Sequence, residues 1–343
     1  MREVRPRGEG LDETPGFDRG SGGFIFGLPG ARTLVWTLSM NRNLIVEFSK
    51  MDGAGNDFVV LDNRFYAFSP GELASLAMRF CNRRTAIGGD GLLALCPPDD
   101  ARHVFRMRYY NADGSLGTMC GNGARCLVAF AFDAGLVGDP VLFGSDAGVM
   151  RAWETDFPAP TNARDIEVTI PGPTSFRTVD LPVLPGQHDL EPVGYVWTGT
   201  EHAVYRVQSG LDAYPVSEAG PVLRRHPSLG PAGANVNFVE PRPANDDPAL
   251  SNGKGAFVRV RTFEKGVEAE TSACGTGAAA VAFCGRELGW WGDGSVEVQM
   301  NGGVLRVRVS PGESGKVQLT LAGPARTSFR GTIAVSPADL EAG

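Results

Sequence analysis

The chain has 343 residues, of which 42% are hydrophobic and 21% are charged, proportions typical of a soluble globular protein that is long enough to form two domains. A formal net charge of -7, with no basic block, argues against nucleic acid as a partner. No apolar run approaches the roughly 20 residues that cross a membrane, so we expect no membrane partner.

The N-terminal residues 1–39 are rich in glycine, arginine and acidic residues and show no sustained periodicity. This composition predicts a disordered leader, which we extend over residues 1–43. The segment has no compact apolar region followed by a small-residue cleavage site, so it indicates no secretory signal. Met40, just before the first predicted strand at Leu44–Phe48, is an alternative start of the protein.

The cysteine content points to a reducing compartment. Six cysteines are too sparse for a disulfide scaffold, and none of them forms a C-x-x-C pair that would indicate a zinc site. We therefore expect free thiols in the cytoplasm, and we predict no metal site.

A weak internal repeat organises the chain. Three segments recur in order at a nearly constant spacing of roughly 150 residues, which is the signature of a duplicated unit. The matched segments are Cys120-Gly-Asn-Gly-Ala124 with Cys274-Gly-Thr-Gly-Ala278, Gly148–Arg151 with Gly303–Arg306, and Ile166–Pro173 with Val317–Pro324.

Each copy reads as strand, loop, Cys-Gly turn, helix and strand. The stretches Ala124–Phe130 and Ala278–Phe283 are apolar almost all round, which favours helices buried inside a sheet layer. Phe257–Phe263 and Val304–Val309 alternate with period two, as half-buried strands do. The interpretation is an α+β fold of two pseudo-symmetric domains, each a mostly antiparallel sheet rolled around a central helix. The predicted bounds are 44–169 with a return strand at 327–336, then 170–326, and a flexible tail at 337–343.

The repeat places a cysteine at the start of each central helix. Unpaired backbone N–H groups and the helix dipole stabilise an anion there, so we expect a lowered thiol pKa at Cys120 and Cys274. The glycines around Asn122 and Thr276 let a ligand approach the exposed amides, which form a nest suited to a carboxylate.

Two such helix starts, facing each other across pseudo-symmetric halves, would place one sulfur on each side of a bound carbon. That geometry predicts inversion, in which one thiolate removes an α-proton and the opposite thiol returns one, without pyridoxal phosphate or another cofactor. A lone cysteine in an apolar helix is more often core filler, and we assign the remaining four to packing. Those four are Cys81, Cys96, Cys126 and Cys284.

At this point the sequence resembles the diaminopimelate epimerase family over about Val46 to Ala334. The resemblance implies the same two-half fold, interconversion of LL- and meso-diaminopimelate in the cytoplasm, and a homodimer. The motifs that carry it are Phe48–Phe58, Ile87–Leu93, Asn111–Ser115, Cys120–Arg125, Ala234–Asn235, Phe263–Glu264 and Glu270–Gly277.

The resemblance also implies roles for individual residues. Cys120 and Cys274 would be the base and acid pair, and His202 and Glu264 a polar pair that sets their protonation. The residues expected around the reacting amino-acid end are Asn56, Gly121, Asn122, Gly275 and Thr276. The residues expected at the distal end of the substrate are Asn111, Thr200, Asn235, Glu264 and Lys265.

Three positions depart from the family pattern. Thr200 replaces an asparagine, Lys265 replaces an arginine that would clamp a carboxylate with two bonds, and Gly91 replaces a glutamine present in some members. The first two departures concern recognition of the distal end, and Gly91 lies near the reacting end. They keep open a second interpretation, a racemase of the same fold acting on another amino acid, and the chain can also be read as a non-catalytic module that binds an amino acid.

Overall fold

The computed structural model describes residues 43–136, 138–178, 181–183, 189–208, 210–242, 256–312 and 315–341. The predicted leader up to residue 42, with Met40, and the last two residues of the predicted tail lie outside the described residues. No helix in the described part of the chain is both long and apolar enough to span a bilayer.

Among the described residues, the first copy of the repeat contains eight strands and three helices, and a ninth strand follows it and pairs with the second copy. They are β1 (Leu44–Gly53), β2 (Asn56–Asp62), α1 (Asn63–Tyr66), α2 (Pro70–Phe80), β3 (Gly91–Cys96), β4 (Phe105–Asn111), β5 (Leu116–Gly117), α3 (Gly121–Asp133), β6 (Val141–Ser145), β7 (Gly148–Glu154), β8 (Ala163–Ile170) and β9 (Thr174–Arg177).

The second copy repeats this order. It comprises β10 (Leu190–Trp197), β11 (Glu201–Val207), α4 (Val216–Arg224), β12 (Asn235–Arg242), β13 (Ala256–Glu264), β14 (Ala269–Thr271), α5 (Gly275–Glu287), β15 (Gly294–Met300), β16 (Gly303–Pro311) and β17 (Val317–Val335).

The strand pairing is the same in the two copies. In the first, β1 and β2 are antiparallel, β2 and β3 parallel, β3 and β4 antiparallel, β4 and β6 parallel, and β6 and β7 antiparallel. The strands β10, β11, β12, β13, β15 and β16 pair in the same sequence of senses. Most pairs are antiparallel, and the two parallel pairs recur at equivalent places, so the duplication predicted from the sequence is present in the topology.

The strand β17 joins the two copies. Its first part pairs with β16, its middle with β8, and its last part, Arg326–Val335, with β1. This last pairing closes a ring of eight strands around α3, namely β1, β2, β3, β4, β6, β7, β8 and β17. The return strand predicted at 327–336 overlaps this last part of β17, which continues without a break from the segment Ala322–Arg326 that pairs with β8.

The two central helices are built alike. Both are buried along almost their whole length, which agrees with the apolar stretches that predicted them. Both end at a glycine with positive φ, Gly135 at 78° and Gly289 at 72°. The next residue in each case donates to the carbonyl five positions earlier, as Leu136 does to Ala131 at 2.9 Å, which closes the helix with a Schellman motif. The fold class predicted from the sequence is therefore confirmed, while the residue bounds of the two halves remain a prediction.

Candidate active site

The two repeated cysteines are the N-cap residues of α3 and α5. Cys120 has φ -143° and Cys274 has φ -128°, both extended, and the backbone turns into helix at the following glycine. The first helical hydrogen bonds match: Ala124 N donates to Cys120 O at 2.8 Å, and Ala278 N to Cys274 O at 2.9 Å. The N–H groups of the first two residues of each helix consequently have no intrahelical acceptor.

The two helix starts lie against each other and against β17. A Cβ atom added to Gly275 would lie 3.4 Å from Asn122 Oδ1 and 3.8 Å from the Cα atom of Gly121. The same addition at Gly121 or Gly275 would meet Leu321 Cδ2, at 2.8 and 2.7 Å. Glycine at these two positions leaves room for the Leu321 side chain beside the helix starts. The approach of a ligand to their amides stays a prediction.

A cleft of about 1130 Å³ opens beside these helix starts. Five of the residues predicted for the site line it: Asn56, Asn111, Cys120, Glu264 and Lys265. Charged residues that the sequence analysis did not single out line it as well: Arg83, Asp90, Asp113 and Glu270.

The sulfur of Cys120 faces the amide of Asn56. It accepts a hydrogen bond from Gly123 N at 3.3 Å, and the thiol donates to Asn56 Oδ1 at 3.7 Å. Asn122 Nδ2 donates to the same oxygen at 3.4 Å, which brings three predicted residues together. Asn122 Oδ1 is buried and has no hydrogen-bond partner among the described residues.

A charged network holds Asn56 in this orientation. Its Nδ2 atom donates to a carboxylate oxygen of Asp90, whose other oxygen accepts from Arg83 at 2.7 Å. Arg83 and the buried Lys50 also bind Asp57. Although burial opposes it, these two cations hold the pKa of Asp57 well below its usual range. This network was not predicted; its only signal in the sequence is that Lys50, Asp57 and Asp90 lie inside the quoted motifs.

The sulfur of Cys274 faces a hydroxyl instead. Cys274 Sγ lies 3.5 Å from Thr276 Oγ1, and that oxygen lies 3.0 Å from Nε2 of the fully buried His202. Burial, with the charge of Lys265, lowers the pKa of His202 to about 3, so the imidazole is neutral near pH 7. His202 therefore lies near one thiol, as predicted, and reaches it through Thr276.

The expected lowering of the thiol pKa values is wrong for this structure. Burial raises the pKa of Cys120 to about 11, and the negative charge of Glu264 adds to the rise against the hydrogen bond from Gly123. Burial and Glu264 also raise the pKa of Cys274, again against hydrogen bonds at the helix start. Desolvation of the two enclosed sulfurs outweighs the helix dipole, and only the dipole can be inferred from the position of a cysteine at a helix start.

Glu264 acts on both sulfurs. It follows the last core positions of β13, lines the cleft, and its charge raises the pKa of both thiols. Burial raises the pKa of its own carboxyl. His202 is thus linked to one thiol through Thr276, and the charge of Glu264 acts on both thiols. That the two residues set the protonation of the thiols stays a prediction.

The predicted distal residues form a second group. Asn235 Oδ1 accepts from the backbone N–H of Lys265 at 2.7 Å. The ammonium of Lys265 binds Glu201 at 2.5 Å, and Thr200 Oγ1 donates to the same carboxylate at 3.1 Å. Thr200 is not among the described residues that line the cleft, and neither are Asn235, Cys274 and Thr276, although Ala273, the residue before Cys274, does line it. Two of the departures from the family pattern therefore meet at Glu201, which the sequence analysis overlooked.

The third departure, Gly91, is explained by Tyr109. A Cβ atom on Gly91 would lie 2.6 Å from the Tyr109 ring and 2.6 Å from the Tyr110 carbonyl oxygen. One on Gly117 would lie 2.3 Å from the same ring. The ring is thus wedged between two glycines, and its hydroxyl donates to Asn111 Oδ1 at 2.8 Å. Tyr109 lines the cleft and occupies the space that a larger residue at position 91 would need.

Comparison with known proteins gives a consistent result. The family described as diaminopimelate epimerase matches residues 48–159 and 194–326. A diaminopimelate epimerase from Methanothrix thermoacetophila is 38% identical over 84% of this chain and 96% of its own length. One from Gemmatimonas aurantiaca is 35% identical over 84% of this chain and 99% of its own. Among solved structures, a phenazine biosynthesis protein of the PhzF family from Bacillus anthracis has a TM-score of 0.65 at 17% identity, over 84% of this chain and 99% of that one, a likeness of fold.

Proposed function

The chain belongs to the diaminopimelate epimerase family and is an isomerase, and on this premise we propose that it interconverts LL- and meso-diaminopimelate by a two-base mechanism. The reaction inverts one α-carbon and serves lysine biosynthesis. The observation that carries the proposal is the pair of cysteine N-caps, Cys120 and Cys274, on two helices whose starts meet at Leu321.

The first step is proton abstraction. The α-carbon lies between the sulfurs, and one thiolate takes its proton while the C–H electron pair moves onto the carboxylate as an enolate. The backbone N–H groups of Gly121 and Asn122, and of Gly275 and Thr276, which have no intrahelical acceptor, stabilise that charge at the two helix starts. The opposite thiol then returns a proton to the other face, which completes the inversion and leaves the second sulfur as thiolate.

Ligand binding favours the required protonation state. Because burial raises the pKa of both thiols, the free protein holds two thiols, and one proton must leave before catalysis. The α-ammonium of the substrate brings a positive charge beside the sulfurs, which favours one thiolate. The buried and unpaired Asn122 Oδ1, among the described residues, is an acceptor suited to that ammonium.

Specificity for diaminopimelate depends on which residues bind the distal end of the substrate. We assign Asn111, Asn235 and Lys265 to the distal amino-acid group, with Thr200 acting indirectly through Glu201. The binding of Lys265 to Glu201 favours one alternative, a racemase of the same fold whose substrate lacks a distal carboxylate. That alternative differs in substrate and keeps the same two sulfurs.

The decisive experiment follows α-proton exchange in deuterated water. Incubation with LL-diaminopimelate should give deuterium at one α-carbon together with the meso isomer, read by proton NMR. Faster exchange with a single amino acid, in a panel run beside it, would favour the racemase instead. Cys120→Ala and Cys274→Ala should each abolish exchange, while Cys284→Ala, in the buried middle of α5, should retain it. A protein that binds substrate but never exchanges the proton would be a binding module.

We also propose that the protein is a cytoplasmic homodimer that needs no cofactor. Apolar side chains are exposed on β1, α1 and β17, where Ile45 is 57%, Phe65 76% and Phe329 50% accessible. Such surface is suited to association with a second copy. Light scattering on the purified protein should give twice the chain mass, and a monomer at micromolar concentration would contradict the proposal.

A further inference from the structure

Three polar side chains are fully buried beside the start of α5. His202 on β11, Asn237 on β12 and Thr262 on β13 are each 0% exposed. The strand register places Asn237 directly opposite Thr262 and two residues beyond Asn235, the partner of His202. A Cβ atom on Gly277 of α5 would lie 2.5 Å from Asn237 Oδ1, so this group touches the helix at its first turn.

The duplicated half has two hydrocarbon side chains and one tyrosine ring at the same positions. The register of β2, β3 and β4 makes Phe58, Leu93 and Tyr109 the counterparts of His202, Asn237 and Thr262. Leu93 lies against Gly123 of α3, as Asn237 lies against Gly277 of α5. Packing around a central helix therefore does not require polar residues here, and burying them costs free energy unless they form hydrogen bonds.

The hydrogen bonds of Asn237 fix the orientation of its amide. Its Nδ2 atom lies 3.2 Å from the carbonyl oxygen of Ala203, which can only accept. Its Oδ1 atom accepts from Thr262 Oγ1 at 3.0 Å. The second hydrogen on Nδ2 then points at His202 Nδ1, 3.1 Å away.

This orientation determines the tautomer of His202. Because Nδ1 accepts from Asn237, the neutral ring carries its proton on Nε2. That proton points at Thr276 Oγ1, 3.0 Å away. Asn235 Nδ2 lies 3.4 Å from Nε2 but is itself a donor, because Asn235 Oδ1 is held by the Lys265 N–H, so it does not compete.

The last link is Thr276. Its oxygen accepts from His202, so its own hydrogen is free to point at Cys274 Sγ, 3.5 Å away. The main chain of Thr276 is held by Thr198 Oγ1, which donates to its carbonyl at 2.9 Å. Cys120 has the opposite environment, since it faces the acceptor Asn56 Oδ1.

We propose that Asn237 is a positioning residue that locks His202 in the Nε2–H tautomer, so that the hydroxyl of Thr276 donates a hydrogen bond to the sulfur of Cys274 and stabilises its thiolate. No proton is transferred along this chain of bonds; it orients a donor. The two sulfurs are consequently unequal, because only Cys274 has this support. The catalytic use of the thiolate rests on the proposed function, whereas the tautomer does not.

The tautomer is measured directly by long-range proton–nitrogen NMR on protein labelled with nitrogen-15. The chain has four histidines, so the ring signals are few. The signals of His202 are those that disappear in His202→Phe, a substitution that copies Phe58 at the equivalent position of the other half. The expected result is a neutral ring with the proton on Nε2 from pH 5 to 9. A proton on Nδ1, or a titration near pH 6.5, overturns the proposal without bearing on the epimerase activity.

Variants test the consequence for the sulfur. Asn237→Leu copies Leu93 and should move the ring proton of His202 to Nδ1. The hydroxyl of Thr276 then donates to His202 Nε2 and no longer to Cys274 Sγ, so alkylation of Cys274 by iodoacetamide should slow roughly tenfold. Thr276→Val should slow Cys274 equally and leave the tautomer unchanged. Thr262→Val is the control, because the Ala203 carbonyl still orients Asn237. The rate at Cys120 should change in none of them. An equal loss at both sulfurs, or an unchanged tautomer in folded Asn237→Leu, contradicts the proposal.

Discussion

The ammonium of Lys265 lies 2.5 Å from Oε2 of Glu201, so the cation expected to meet the far end of the substrate already has a protein partner. Both side chains are partly accessible, at 23% and 28%. An ion pair of this exposure contributes about 0 to 1 kcal/mol, which a bound carboxylate can replace. If Lys265 binds the distal carboxylate, as proposed, the pair should weaken that binding without abolishing it.

Removing the charge of Glu201 should strengthen substrate binding. Glu201→Gln releases Lys265, and we expect KM for LL-diaminopimelate to fall about two- to fivefold with little change in kcat, the size of a surface ion pair. Glu191→Gln serves as the control, because Glu191 forms an exposed pair with Arg206 on the neighbouring strands. A rise in KM would mean that Glu201 itself binds the distal ammonium.

The orientation of Asn56 should depend on Asp90. One carboxylate oxygen of Asp90 accepts hydrogen bonds from Asn56 Nδ2 and from the backbone N–H of Asp57. The other oxygen accepts from Arg83. Asp90→Asn introduces a donor where Asn56 Nδ2 now donates, so the Asn56 amide turns away from Cys120. We expect kcat to fall about tenfold to a hundredfold.

The control for Asp90 is Asp100→Asn, which removes an equal charge from an exposed turn where Asp100 binds Arg102. Its kcat should match the unaltered protein. Equal kcat in Asp90→Asn and Asp100→Asn would show that the network has no part in orienting Asn56.

The features predicted correctly from the sequence are the duplicated unit and the structure that is encoded within a few residues. The Cys-Gly-x-Gly segments predicted two buried helices with cysteine at their starts, because capping and apolar periodicity are encoded within a few residues. Burial of Cys120 and Cys274 depends on how the two halves close on each other, so the sign of their pKa shift was not predictable from the helix dipole alone. The contact between Glu201 and Lys265 joins β11 to the turn after β13, which is distant in sequence, so it has no local signal in the sequence.

The wedged ring of Tyr109 predicts a steric effect at Gly91. Gly91→Ala puts a Cβ atom 2.6 Å from both the ring and the Tyr110 carbonyl oxygen, and the backbone atom cannot swing aside. We expect the free energy of unfolding to fall by about 1 to 3 kcal/mol, the usual cost of overpacking, measured by urea denaturation. Adding Tyr109→Leu removes the clash with the ring but not the clash with the Tyr110 carbonyl oxygen, so the double variant should recover only part of the lost stability.

The matched control for Gly91 is Gly292→Ala. A Cβ atom there meets nothing within 4 Å, and the residue lacks a positive φ. Its stability should change little. Equal stability of the Gly91 and Gly292 variants would indicate that β3 and β4 move apart freely at this point.

The raised thiol pKa values predict an alkaline rise in reactivity. Because the pKa of Cys120 is about 11, its thiolate is scarce at pH 7 and should increase about tenfold per pH unit up to pH 10, and its alkylation by iodoacetamide should follow. Glu264→Gln removes a negative charge that disfavours both thiolates, so the midpoint should move to lower pH at both sulfurs. Glu218→Gln, in the first turn of α4, is the control and should leave both midpoints in place. A Cys120 midpoint near 8.5 in the unaltered protein, the value of a free cysteine, would contradict the argument, because burial between the sheets would then impose no penalty on the thiolate.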